Sequence, residues 1–213
     1  MRRETKAGTR FFVTMALALL LAGCSVLGSG VSSGDRTTIY APAVRVAADP
    51  TWPQVTWSLA IAQPTAPRML DGSRIAVRPD TDELQVYRSA SWSQSPPSLL
   101  ADAVLRTLED SGRIAAVARQ ESGIRADYKL VLDIRRFEAD YAGAQIPSAI
   151  IEVNAKLLAV RDQKVVASRT FVQSQASAGT EVPQVVDAFG QSLERMTATL
   201  AGWVLDSVPT ARP

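Results

Sequence analysis

The chain has 213 residues, 46% hydrophobic and 21% charged, with 23 basic and 21 acidic side chains, no histidine and one cysteine, Cys24. Without histidine the commonest general base and metal ligand are gone, and zinc sites built on Cys and His are excluded. A lone thiol cannot close a disulfide within the chain, so packing alone must hold the fold. Four of the basic residues and one acidic residue lie in the first 23 positions, which leaves 19 basic and 20 acidic side chains beyond them. No basic patch of the kind that binds nucleic acid stands out.

Arg2, Arg3, Lys6 and Arg10 precede a mostly apolar run over residues 11–22, and Leu21-Ala22-Gly23-Cys24 closes it. A positive start, a short apolar middle and small residues at the end make the plan of a secretory signal. The run is about 12 residues, short of the ~20 that span a bilayer as a helix. Leu-Ala-Gly-Cys resembles the lipobox of bacterial lipoproteins, which implies cleavage before Cys24 and acylation of its thiol. Ser25 in place of an aspartate implies delivery to the outer membrane under the sorting rule of such lipoproteins. The expected plan is a signal peptide over residues 1–23, a lipidated tether over 24–53, a folded domain over 54–208 and a tail over 209–213. The tether stretch is rich in Ser, Gly, Ala and Pro and buries too little to offset its ordering entropy. As a coil it spans about 30 Å root-mean-square, with room for a short strand near residues 37–40.

Three short strands open the domain. Residues 55–61 alternate loosely before Pro64 and Pro67; residues 74–78 place Ile75 and Val77 on one face between Asp71-Gly72 and Pro79; residues 84–87 follow an acidic turn. The period then changes. Pro96 and Pro97 suit the first turn of a helix in which Leu99, Leu100, Ala103, Val104 and Leu108 share a face, and Ser111-Gly112 stops it. A short strand over 115–119 follows, and then a meander. Residues 127–138 carry Tyr128, Leu130, Leu132 and Ile134 on one face, but the apolar phase jumps to Phe137, which predicts a bulge near Arg135-Arg136. Residues 151–159 and 165–173 complete the meander around a turn at 161–163. A last helix from Pro183 carries Val185, Val186, Phe189, Leu193, Met196, Leu200, Trp203 and Val204 at helical spacing. The fold class is α+β, two helices packed on one face of a mostly antiparallel sheet.

The residues do not support catalysis. Asp133, Glu138, Asp140 and Glu152 cluster, as paired carboxylates of glycosidases do, but they alternate with basic residues on what reads as a solvent face. Without histidine a serine nucleophile needs a lysine base, and Lys129, Lys156 and Lys164 stand in no Ser-x-x-Lys arrangement. Gly28-Ser29-Gly30 has no strand before it, so it reads as linker. No cofactor or metal is expected. The stretch around Tyr87, Arg88 and Trp92 is the most distinctive surface candidate. Trp92 packs as a lid over the start of the helix, or it joins Tyr87 and Arg88 as anchors of a partner interface, a role these residue types favour.

Ile75-Ala-Val-Arg-Pro, Glu83-Leu-Gln-Val-Tyr87, Trp92, the helix from Leu99 to Gly112, Ala126-Asp127-Tyr128-Lys-Leu-Val-Leu-Asp-Ile and Phe137-Glu138 form an ordered set. Together with the lipobox, it resembles the ABC-type transport auxiliary lipoprotein family (paraquat-inducible protein C-like). The stretch 64–71 departs from the family's Tyr-Leu-Asp-like turn, which only Met69-Leu70-Asp71 echoes. The resemblance implies a non-catalytic lipoprotein on the periplasmic face of the outer membrane, anchored by lipid. It also implies an ABC transporter and a mammalian-cell-entry (MCE) type substrate-binding protein as partners, in a system moving lipids between membranes, with homo-oligomers of the lipoprotein as a further expectation. A direct lipid or lipopolysaccharide carrier and a general envelope assembly lipoprotein are the alternatives; a carrier needs an apolar cavity between helices and sheet.

Overall fold

A computed structural model describes residues 36–208. The chain divides into two units, residues 1–36 and 37–213, and the fold is that of the second. Among the described residues eight strands and two α-helices follow one another: β1 (Thr38–Tyr40), β2 (Val55–Ile61), β3 (Arg74–Arg78), β4 (Gln85–Trp92), α1 (Pro96–Ser111), β5 (Ile114–Arg119), β6 (Tyr128–Asp140), β7 (Ser148–Ala159), β8 (Val165–Ala176) and α2 (Val182–Asp206). The architecture is α+β, as the change of period along the sequence implies.

β6 is the spine of the sheet. One edge pairs antiparallel with β7 along its whole length, and β7 pairs antiparallel with β8. The other edge is shared. Residues 128–130 take β2 in parallel, and residues 138–140 take β3 in parallel, with Thr65 bridging to Asp133 between them. β5 flanks β2, while β4 and then β1 extend from β3, so the sheet forks at β6. The long ladders are antiparallel; the short β1–β4, β2–β5, β2–β6 and β3–β6 pairings are parallel.

Alternation on the spine sets the core. Leu130, Leu132 and Ile134 face inward, a bulge falls between Ile134 and Arg136, and Phe137 and Ala139 then take over the inward phase. Opposite them β7 buries Ala149, Ile151, Val153, Ala155 and Leu157. α2 covers β7 and β8 with Val185, Phe189, Leu193, Met196, Leu200 and Val204, all buried, and α1 packs against α2 and β5. The helix ends follow local chemistry. Gly112 stops α1 at φ 60°, its N–H donating to the Glu109 carbonyl, a conformation open to glycine at little cost. At the start of α2, Glu181 and Gln184 form a reciprocal capping box.

Two expectations change. Residues 37–53 are part of the domain and not of a tether. β1 lies parallel to β4, Val44 and Val46 pack on the core, and Trp52 is buried. Tyr40, Val44, Val46 and Trp52 stand at even positions along this stretch, too sparsely to register in composition, yet all four pack on the core. β4 also runs on to Trp92. Ser89 adopts φ 52° and the register against β3 shifts, which breaks the period-2 pattern that marks a strand. Cys24 lies outside the described residues.

Candidate functional site

The three residues singled out for a partner contact sit in different places. Trp92 is 2% exposed. Its ring meets Phe137 and Phe189 edge-on at 5.9 and 5.2 Å, and those two rings stack at 5.0 Å. An indole so enclosed cannot touch a partner, so Trp92 is a core residue and leaves the contact set. The aromatic cluster ties β4, β6 and α2 together, which is more than a lid over one helix end. Tyr87 is half-buried and its hydroxyl is enclosed without a hydrogen bond among the described residues. Burial, with the Tyr141 phenol nearby, pushes the Tyr87 phenol well above its ordinary range. Arg88 is exposed and sits next to the left-handed Ser89, so of the three it alone presents its side chain to solvent. Backbone held in a sparsely populated conformation beside an exposed cation marks this bulge as the part of the candidate that remains.

The carboxylate cluster divides as well. Asp133 and Glu152 flank Arg135 on the open sheet face, at 4.0 and 3.5 Å, as the solvated-charge reading expects. Glu138 does not fit it. The residue is 1% exposed, and its carboxylate accepts from Arg78 Nε at 2.8 Å, Arg78 Nη2 at 3.2 Å and Arg136 Nε at 2.8 Å. Arg136 also reaches Asp140, and Arg78 Nη1 donates to the Thr81 carbonyl at 2.8 Å. The hydrogen bonds from Arg78 to Glu138 raise the Arg78 guanidinium above its ordinary value. The network lies where β3 rejoins β6, so it ties the two strands together at the fork. Alternation puts Glu138 on the face opposite Phe137 and Ala139, so the local pattern gives no sign of its burial.

Grooves lie on the outer side of the helices. Residues 42–47 cross the helix pair, and beside them a groove of about 500 Å³ is lined by Val44, Leu99, Asp102, Arg106 and Leu193. At its edge Asp102 is paired with Arg119 and accepts from Gln94 at 3.1 Å. Burial works to raise the Asp102 carboxyl; the Arg119 and Gln94 hydrogen bonds outweigh it and hold the group below the usual carboxylate range. The α2 stripe itself packs against the sheet as core, so a lipid-carrier cavity is not formed by it among the described residues. No helix among them is long and apolar enough to cross a membrane.

The described residues form a branched α+β sheet covered by two helices. The profile described as ABC-type transport auxiliary lipoprotein component matches residues 38–201, and the chain belongs to that family. A crystal structure of a protein from Xanthomonas campestris is similar to it at 54% identity and a TM-score of 0.78, over 80% of this chain and 96% of that one. A hypothetical protein from Chlamydia trachomatis shares the fold at 9% identity, with a TM-score of 0.51 over 72% of this chain and 100% of that one. An uncharacterized protein from Bradyrhizobium diazoefficiens is 30% identical over 176 residues, 79% of this chain. The chain spans 47% of that relative's length. The family match begins at residue 38, where β1 begins.

Proposed function

We propose that the protein is a non-catalytic lipoprotein, held through Cys24 at the periplasmic face of the outer membrane, that docks the MCE-type substrate-binding protein of an ABC transport system moving lipids between membranes. Membership of the transport auxiliary lipoprotein family carries this reading. Leu21-Ala22-Gly23-Cys24 supports the anchor, since several acyl chains on one cysteine hold a protein stably where a single myristoyl-sized chain does not. A chain without histidine, whose clustered carboxylates are spent on arginines, supports a role in binding over catalysis. Copies gathered into a collar around the partner belong to the same reading.

Two measurements test it. Cys24→Ser should abolish palmitate labelling and leave the precursor uncleaved; normal labelling of that variant removes the anchor. Crosslinking in cells between the lipoprotein and an MCE-type protein should give a specific adduct. Lipid co-purifying at near one molecule per chain, without such an adduct, would favour a direct carrier instead.

A further inference from the structure

Among the described residues, Ala41 to Ala48 cross the helix pair without a hydrogen bond to the rest of the domain. Bonding stops at Tyr40, whose carbonyl accepts from the Ser93 N–H at 2.7 Å. It resumes at Asp49, whose carbonyl accepts from the Trp52 N–H at 3.0 Å and whose carboxylate accepts from the Thr51 N–H at 2.8 Å. Backbone polar groups left without a protein partner must be solvated, so the stretch between lies on the surface as hydrated chain. Side chains alone seat it. Pro42, Val44 and Val46 are half-buried, while Ala41, Ala43, Arg45 and Ala47 are exposed.

Neither margin of this stretch is closed. Toward α1 lies the groove of about 500 Å³ beside Leu99 and Arg106. Toward α2 lie grooves of about 380 and 370 Å³, one beside Val186 and the other beside Ala198. β1, which precedes it, is three residues long, pairs with β4 alone and leaves Ile39 67% exposed. Segments with few buried apolar contacts and solvated backbone open locally at free energies well below that of the core, because the entropy of ordering the chain is poorly offset. The chain is fixed again from Trp52 onward. That indole is buried against Gly202, and Gln54 Nε2 and the Val55 N–H donate to the Gly112 and Arg113 carbonyls at 3.1 and 2.8 Å.

We propose that residues 37–48 are a detachable strap. Load applied to the chain at Cys24 reaches β1 first. Its short ladder opens, the strap lifts from the helices, and release stops at the turn from Asp49 to Trp52, whose indole stays on Gly202. At ~3.4 Å per residue the released stretch adds about 40 Å of contour to the connection with Cys24. The long ladders of β6, β7 and β8 and both helices stay intact, because none of them includes residues 37–48. A domain built this way keeps its fold, and its grip on a partner, while its distance from the membrane changes. The proposal rests on the anchor reading only for the source of the load.

The test pulls the unlipidated full chain in optical tweezers between the thiol of Cys24 and a second handle on Gln145→Cys, in the exposed turn between β6 and β7. Traces should show a reversible step of about 40 Å in contour before the remainder unfolds. The double variant V44D/V46D should keep the length of that step and raise its open-to-closed ratio at fixed force by about tenfold or more, since two half-buried valines lose their seats. Its calorimetric Tm should match wild type. A single event that releases the whole contour, a ratio indifferent to the aspartates, or a Tm lowered as by a core lesion overturns the proposal. A step of about 60 Å also overturns it, since release would then run past Trp52. The assay contains no membrane. A missing step defeats the strap and leaves the anchor standing, whereas normal palmitate labelling of Cys24→Ser defeats the anchor and leaves the measured step.

Discussion

Gly202→Ala sets two known effects against each other at one contact. In an exposed helix the change is favourable by roughly 1 kcal/mol, because alanine is the better helix former. Here a Cβ on residue 202 would stand 2.8 Å from Nε1 and 3.4 Å from Cδ1 of Trp52, closer than atoms tolerate. The indole cannot retreat along its backbone, because the Trp52 N–H donates to the Asp49 carbonyl at 3.0 Å and Thr51 is bonded to the Asp49 carboxylate. It must swing toward the groove at Ala47 and Asp49 and give up part of its burial. Overpacking of this kind costs about 1–3 kcal/mol, so the net effect is a destabilisation of about 1 kcal/mol and a Tm lowered by about 2–4 °C. Urea unfolding followed by tryptophan fluorescence, with a Trp52→Phe background to isolate the Trp52 signal, reads both the stability loss and a red shift of that indole. A gain of about 1 kcal/mol, the bare propensity effect, would show that Trp52 does not sit on Gly202 and that residues 37–53 do not belong to the domain.

Three further outcomes are expected. Glu138→Gln keeps the shape and removes the charge that two guanidinium groups share; both arginines are partly exposed, so the ~3–5 kcal/mol of a broken buried pair falls to about 2 kcal/mol. A double-mutant cycle of Arg78→Met with Glu138→Leu should then be strongly non-additive in urea unfolding, and additive losses would refute the coupling. Phe189→Asp places an unpaired charge against the stacked ring of Phe137 and should cost more than ~4 kcal/mol; a cooperative calorimetric transition near the wild-type temperature would mean α2 is not docked there. The carboxyls of Asp102 and Asp127 are held low, the latter by hydrogen bonds from Ser58, so the stability they supply is full above about pH 4 and is lost as pH falls through their lowered values. Asp102→Asn should flatten that acid limb, and superimposable acid-unfolding curves would refute the assignment.

Much of the fold was legible because single patterns encode it. The two apolar phases of β6, one ending at Ile134 and the other resuming at Phe137, are enough to place the bulge between them. The stripe from Val185 to Val204 gives α2 and its buried face. What escaped depends on pairing across long stretches of chain. Nothing local in Thr38–Tyr40 says that it will lie beside residues 90–92, and nothing in residues 42–46 says that two helices will meet beneath them. The candidate site follows the same division. Arg88 was legible as an exposed anchor type, whereas Trp92 became core only through Phe137 and Phe189, which are brought to it from distant elements. Glu138 was misread for the same reason: Arg136 is two residues away, but Arg78 comes from 60 residues upstream.

The fork at β6 also orders events in time. β6, β7 and β8 follow one another through tight connections, so their ladders close over short loops, while Ser58 must find Asp127 across 69 residues and Arg78 must find Glu138 across 60. Loop-closure cost favours the meander first, and its spine then offers one half of a free edge to β2 and the other half to β3. The strands that emerge first from the ribosome can pair among themselves, β3 with β4 and β2 with β5, but the two groups have no common strand until β6 exists. In this protein the late half of the chain is the template that joins the two separately paired parts of the early half.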